Sequence, residues 1–304
     1  MSTAETRRDP YQAVTDLILE HLEKGTVPWR CPWNREVGRP CNFQSGKPYR
    51  GINALLLGWR HFASPWWLTY RQAQERSGQV RKGERGAMVV KYGTFDANSA
   101  GGSDIDLSAD TPAKRKLGYL RLFTVFNATQ IDGIEFPATL GAPLRAESER
   151  IARAKAIVAA MPNRPNLFEG ERTRAYYNVS TDSVFMPALG SFESEESYYM
   201  TLFHEFIHAS GHSTRLNRDT LVTHGEFGGP VYSREELVAE MGAAFLGMEA
   251  EIVMDRHEQS AAYLNGWLTA LKAKEHRKWI VQAAAQAAKA ADYILNRHED
   301  TQAA

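Results

Sequence analysis

Three residues in His204-Glu205-Phe206-Ile207-His208 have the types and spacing needed for metal-assisted hydrolysis. On an α-helix, residues i and i+4 stand on one face, a turn apart, so His204 and His208 can aim both imidazoles at one divalent cation. Glu205 then lies beside the cation's open side, where a carboxylate can take a proton from an attacking water. Zinc suits such a site; Mn2+ or Co2+ could occupy it as well, because selection among these ions follows geometry and supply. Leu202, Phe203, Phe206 and Ile207 would form the buried side of this helix, with Ser194 as its cap and Gly211 as its stop.

A catalytic centre of this kind needs a third protein ligand and one position left for water. Glu236 and Glu240 lie one turn apart in Ser233-Arg234-Glu235-Glu236-Leu237-Val238-Ala239-Glu240. One can bind the ion while the other accepts a hydrogen bond from a ligand histidine's second nitrogen. Ser233 and Glu236 also have capping-box spacing, so spacing alone leaves Glu236 divided between cap and ligand. His212 is a rival ligand, although Gly211 should end the helix and swing it away. The third histidine of the metzincin pattern would fall at Thr214, which excludes that variant. His224 and Tyr232 are candidates for stabilising an oxyanion or lining the pocket.

The elements that must position these residues follow from pattern and punctuation. Asp9-Pro10 before Ala13, Val14, Leu17, Ile18 and Leu22 predicts a capped amphipathic helix ending before Gly25. A helix is expected near 53–62, with strands over 88–92 and 120–126, where β-branched and aromatic residues gather. Residues 97–112 are small, polar and acidic and read as a surface insertion; 137–143 read as a connection between domains. A helix near 148–160, short strands at 176–179 and 183–186 and the metal helix at 195–210 follow. Ser233 should open another helix to about 248, and two Ala-rich helices near 258–274 and 277–296 close the chain. The pattern is α+β.

The chain has 304 residues and no net charge, but its charge is unevenly placed. Residues 24–91 hold thirteen Lys and Arg against three acids, a balance of +10. Five of the seven tryptophans (Trp29, Trp33, Trp59, Trp66 and Trp67) fall in the same segment. Cations that track phosphates, interleaved with rings that stack on unpaired bases, suit a single-stranded nucleic acid. The alternative is that the tryptophans fill a core while the charges solvate its surface. Val80-Arg81-Lys82-Gly83-Glu84-Arg85-Gly86 is the most concentrated basic turn. No apolar run approaches a membrane span and the N-terminus lacks a signal-peptide core, so a cytoplasmic protein with two reduced thiols, Cys31 and Cys41, is expected and no membrane partner.

Taken together, Pro32-Trp33, Pro40-Cys41-Asn42, Tyr49-Arg50-Gly51-Ile52-Asn53, Trp67-Leu68-Thr69-Tyr70, Val80–Glu84 and Phe126-Asn127-Ala128-Thr129-Gln130 resemble the ArdC-type antirestriction proteins. A similar N-terminal domain occurs in TraC-type plasmid primases. The second half fits the same family through Tyr198-Tyr199, the His204–His208 motif, Gly211-His212, Arg215-Leu216 and Glu235–Glu240. The resemblance implies a basic single-stranded-DNA-binding α+β domain over 8–137, with 97–117 as a flexible insertion. A mostly helical zincin-like metallopeptidase domain would follow over 144–298. It implies a conjugative-plasmid protein that protects incoming DNA from host restriction, with a protein substrate bound to that DNA or belonging to the restriction system. It also favours Glu236 as the third ligand, with Glu240 behind it. Trp33, Tyr49, Arg50, Asn53, Trp67, Arg81, Lys82 and Arg85 are the expected DNA contacts. A non-catalytic DNA shield with a structural metal is the alternative.

Overall fold

A computed structural model describes residues 9–29, 37–96, 116–137, 145–222, 230–252, 261–273 and 276–297. Residues 97–115 of the expected insertion, most of the 137–143 connection, Cys31, Trp33 and His224 lie outside these residues, as do the side chains of Tyr232 and Ser233; residues 116 and 117, expected within the insertion, are instead paired strand.

Asp9 caps α1 (Pro10–Glu23) by accepting from the Tyr11 amide at 3.0 Å, with Pro10 in the first turn, where its missing N–H costs nothing. Its apolar spacing buries Val14, Ile18 and Leu22 on one face. A four-stranded sheet follows in the order β1-β2-β5-β4, built from β1 (Cys41–Asn42), β2 (Trp66–Thr69), β4 (Ala87–Asp96) and β5 (Lys116–Asn127). β4 and β5 pair antiparallel from Ala87↔Val125 to Asp96↔Lys116. Between them in sequence come α2 (Ile52–Gly58), α3 (Tyr70–Glu75) and β3 (Gln79–Val80), which pairs with β6 (Ile131–Asp132). Thr69 and Gln72 form a reciprocal capping box that starts α3 directly from the end of β2.

The second half opens with α4 (Glu147–Ala160) and a three-stranded sheet in the order β7-β9-β8. Its strands are β7 (Asn166–Gly170), β8 (Tyr176–Asn178) and β9 (Ser183–Pro187). Among the described residues five helices follow: α5 (Glu195–Ser210), α6 (Asp219–Val222), α7 (Pro230–Ala250), α8 (Ala261–Lys272) and α9 (Trp279–Ile294). α7 starts at Pro230 rather than at Ser233. Proline supplies a pre-set first turn, so Ser233 already lies inside the helix and is not its cap.

One apolar cluster spans both halves. Val14, Ile18, Trp29 and Leu55 belong to the same core as Phe203, Phe206, Leu237 and Ala284. α9 makes this possible, because Ala283, Ala284, Ala287, Ala290 and Ala291 form a buried stripe small enough for close helix packing. Gly51, at φ +54°, runs close beside it, where a β-carbon would stand 3.6 Å from the Ala284 carbonyl.

The edge strand β4 is closed by a side chain. The Asn53 amide donates to the Val90 carbonyl and accepts from the Val90 amide, both at 2.8 Å. A carboxamide thus stands where another strand's peptide would pair, which removes a template for edge-to-edge association. Asn53 therefore serves the fold and is not free to read DNA, contrary to the sequence-based expectation. Asn53→Ala should cost roughly 1–3 kcal/mol, the usual penalty for stranding buried hydrogen-bonding groups, read from urea unfolding. An unchanged midpoint would show that the edge is held by something else.

Candidate functional site

The metal helix α5 begins at Ser194, whose hydroxyl accepts from the Ser197 amide at 3.1 Å, and carries Glu195 and Glu196 in its first turn, favourable to the helix dipole. Tyr198, Leu202, Phe203, Phe206 and Ile207 are buried on it. Gly211 ends it. A β-carbon there would stand 2.7 Å from the Arg218 guanidinium, so only glycine leaves that side chain its path.

α7 crosses α5 closely because Gly242 faces Ile207 and Gly247 faces Met200. Added β-carbons would lie 2.5 and 2.7 Å from those side chains. This approach brings Glu236 to the two histidines. His204 Nε2 and His208 Nε2 are 3.1 Å apart; Glu236 oxygens lie 3.5 Å from the first and 3.4 Å from the second. Donors held 2.0–2.1 Å from a tetrahedral zinc stand roughly 3.3–3.4 Å from one another, so these residues fit a small divalent cation as they stand. Among the described residues this is the one grouping of at least three His, Cys, Asp or Glu with donors close enough to hold a metal.

The support behind His208 comes from a residue that sequence reasoning passed over. His208 Nδ1 meets Glu235 Oε1 at 3.1 Å. Glu235 also accepts from Arg218 Nε at 2.8 Å, from Arg218 Nη2 at 2.5 Å and from the Thr220 hydroxyl at 2.5 Å. Arg218 donates in addition to the Ile207 carbonyl at 2.7 Å and the Ser210 hydroxyl at 3.2 Å. With both charges buried, such a pair is tolerable only because nearly every donor is matched. The hydrogen bond places a proton on Nδ1 and leaves Nε2 for the ion. The orienting role expected of Glu240 thus falls, for His208, to Glu235. Glu240 stands half-buried one turn beyond Glu236.

Electrostatics reinforce this geometry. Burial opposes charge on His208, but the Glu235 and Glu236 carboxylates outweigh it and push its pKa up to about 10. Burial likewise opposes ionisation of Glu235, and Arg218 with His208 overcomes it, holding the carboxyl down to about 2. Glu236 is held well below the usual carboxylate range against burial by its hydrogen bonds to His204 and His208. Without a cation, a proton on the histidines balances the carboxylates.

Glu205, next to His204 on α5, is 7% exposed, and no hydrogen bond from a described residue ties its carboxylate. His212 stands off from the cluster, its Nδ1 engaged with the Thr214 hydroxyl at 2.8 Å. The turn after α5 is fixed by Arg215, which donates to Ala209 O at 2.7 Å, to Asn163 O at 2.8 Å and to the Asp182 carboxylate.

The expected DNA contacts separate into two kinds. Trp67 is 2% exposed and packs with Leu57, Ala87, Val89 and Val125, so its ring is core and cannot stack on a base. Trp29 is buried completely. Tyr49 is half-buried, its hydroxyl accepting from Asn42 at 3.3 Å. Arg50 pairs with Asp292 of α9. Arg81 is exposed but held by Glu84 at 2.8 Å and Asp132 at 3.2 Å. Lys82 and Arg85 are exposed. Tyr70, Phe126, Arg81 and Lys82 line an open groove beside them.

A model of zincin-like metallopeptidases matches residues 152–286, and one of the N-terminal domain of the anti-restriction factor ArdC matches residues 8–126. Over 308 residues the chain is 36% identical to the uncharacterized protein y4eC of Sinorhizobium fredii, covering 99% of this chain and 96% of that one. It is 38% identical to the DNA primase TraC of Escherichia coli over 310 residues, 96% of this chain but only 27% of the primase. Crystal structures of the antirestriction ArdC protein from plasmid R388, metal-free and Mn(II)-bound, each give a TM-score of 0.71, at 38% and 36% identity. They cover 95% and 97% of this chain and 97% and 100% of that one. Fold and site thus define the class, an ArdC-type N-terminal domain joined to a zincin-like metallopeptidase domain. The chain belongs to the ArdC-type antirestriction family.

Glu235→Gln should weaken metal binding on the order of 10- to 100-fold, because the charge that orients His208 is lost while its shape is kept. Competition against a chromophoric chelator measures this, and unchanged affinity would remove Glu235 from the site. Zinc binding at pH 7.5 should also release about one proton, displaced from His208, seen by calorimetry in buffers of different ionisation enthalpy.

Proposed function

We propose that this chain is a plasmid-type antirestriction protein that binds single-stranded DNA and carries a zinc metallopeptidase-like centre, protecting incoming DNA from host restriction. The observation that carries the reading is the convergence of His204, His208 and Glu236 at metal-ligand spacing. Support comes also from the ArdC protein of plasmid R388, a relative described as antirestriction and solved with Mn(II).

In this reading His204, His208 and Glu236 hold a divalent cation, zinc by the donor set, which when bound polarises a peptide carbonyl and acidifies water. Glu205 would serve as the proton carrier, accepting a proton from an attacking water and returning it to the departing amine, so one carboxylate would act as base and then acid. Glu235 and Arg218 keep His208 in the tautomer that presents Nε2. The N-terminal half holds the single strand, and a protein on that strand or of the restriction system is the substrate.

A second reading is favoured by the way the donors join two core helices, since a cation there would also pin α7 to α5. The metal would then be structural and the protein a DNA shield. Glu205→Ala separates the two. It should keep metal content and thermal stability, abolish any proteolysis and abolish protection of unmodified DNA entering a restricting host. Cleavage by this variant would sink the mechanism. Protection that survives Glu205→Ala but is lost in Lys82→Ala/Arg85→Ala would establish the shield.

A further inference from the structure

Given the single-strand reading, on which this rests, we infer that the groove between Tyr70 and the turn at Arg81–Glu84 receives an unpaired base of single-stranded DNA, whose phosphates lie on the turn. The groove holds about 600 Å³ and opens to solvent. Val80, which is buried, and Phe126, which is half-buried, are its apolar part. Tyr70 is 43% exposed, although it stands in the first turn of α3, where the Thr69–Gln72 capping box fixes its place at the end of β2. Among the described residues it meets one other ring, Phe126, with centroids 6.4 Å apart and planes at 68°, and no cation covers it. A face of the phenol is therefore open to the groove.

The turn is held in shape by its own contacts. Arg81 donates to Glu84 at 2.8 Å, to Asp132 at 3.2 Å and to the Thr129 carbonyl at 2.5 Å. Glu84 also accepts from Gln130 Nε2 at 2.9 Å, and its amide closes the turn on the Arg81 carbonyl at 3.2 Å. Gly83 takes φ +90°, which suits glycine, and nothing stands within 4 Å of where its β-carbon would be. These contacts neutralise Arg81. Lys82 and Arg85, exposed and without an ion pair among the described residues, remain as the spare charge of the turn. The groove is thus close to neutral within and positive at its rim. A nucleotide has the matching distribution, a neutral flat base beside an anionic linkage.

Gln79 supplies a polar match for the base edge. Its Nε2 donates to the Tyr70 hydroxyl at 3.3 Å and to the Val80 carbonyl at 2.9 Å, which uses both amide hydrogens. Its Oε1 accepts nothing from a described residue, and the Tyr70 hydroxyl, an acceptor here, keeps its own proton to give. One donor and one acceptor therefore stand side by side. Every base carries an acceptor next to a donor on its Watson–Crick edge, so the pair can hold any base without reading sequence. A duplex closes that edge and hides the face that would stack on Tyr70. An acidic peptide would satisfy Lys82 and Arg85 but would bring its carboxylates against Glu84 and Asp132.

The test uses the full chain, a fluorescein-labelled oligo(dT) of about 20 nucleotides, which exceeds the usual single-module footprint, and its duplex with oligo(dA). Tyr70→Ala should raise Kd for the single strand about 5- to 150-fold, the loss of one stacked base. Tyr70→Phe keeps the ring and gives up one hydrogen bond, so it should lose only about 2- to 12-fold. Lys82→Ala should flatten the slope of log Kd against log salt by about 0.7, as expected for one lost phosphate contact on a single strand. In the wild-type chain, whose folding no variant can disturb, 5-iododeoxyuridine should crosslink to Tyr70. Wild-type affinity in Tyr70→Ala, or crosslinks only outside the groove, would overturn the base site and leave the single-strand reading intact. Failure of the wild-type chain to bind the single strand, or equal affinity for the duplex, would overturn both.

Discussion

The close crossing of α7 over α5 is the constraint on which the candidate centre depends. Two of its three donors are local, four residues apart on one helix, and any stable α5 would bring them together. The third, Glu236, arrives only because Gly242 lets α7 approach to where a single methyl would strike Ile207. The same approach buries Glu235 one residue earlier, where it would be an uncompensated charge without Arg218. The Arg218 loop is in turn admitted by Gly211, so helix ending, helix crossing and ligand orientation form one set of mutual requirements.

The rest of the molecule keeps that crossing fixed. α9 packs its alanine stripe against α7 and α5 and also receives α1 and α2 from the N-terminal half. Electrostatic contacts follow the same route. Arg39 and Arg297 flank Glu249 on α7, and Arg50 pairs with Asp292 on α9. At the junction these pairs are partly shielded from solvent, so they act over short range and specify how the halves fit more than they add stability. The half with the basic surface and the half with the metal donors therefore share a core.

How much of this was legible in the sequence depends on how local each feature is. The His204–His208 motif, α1, α4, α5 and the central parts of β4 and β5 carry local pattern or punctuation and could be read, but the pairing of β4 with β5 was not. Glu236 was readable only as a choice, because three-residue spacing from a serine serves a cap as well as a ligand. The start at Pro230 resolves that choice on the backbone. Glu235 was not readable, since its role exists only once Arg218, seventeen residues before it, folds back onto it. The two-residue strands β1, β3 and β6 have no pattern of their own and exist through pairing with distant segments. Composition could not sort the tryptophans, because Trp67 in the core and a ring on the surface contribute equally to a count.

Charge shows the same limit from another side. The chain sums to zero and its basic segment to +10, yet neither figure describes the surface a partner would meet. Arg39, Arg50 and Arg81 are engaged with Glu249, Asp292, Glu84 and Asp132, and so are largely neutralised within the fold. Lys82, Arg85, Lys91 and Arg121 make no ion pair among the described residues, and all four are exposed. Arg121 lies outside the segment that composition singled out. Lys82 and Arg85 stand in the basic turn and Lys91 and Arg121 on paired strands, so this exposed positive charge is divided between the two places. Register sets Lys91 opposite Arg121 and so brings together two like charges that are thirty residues apart in sequence.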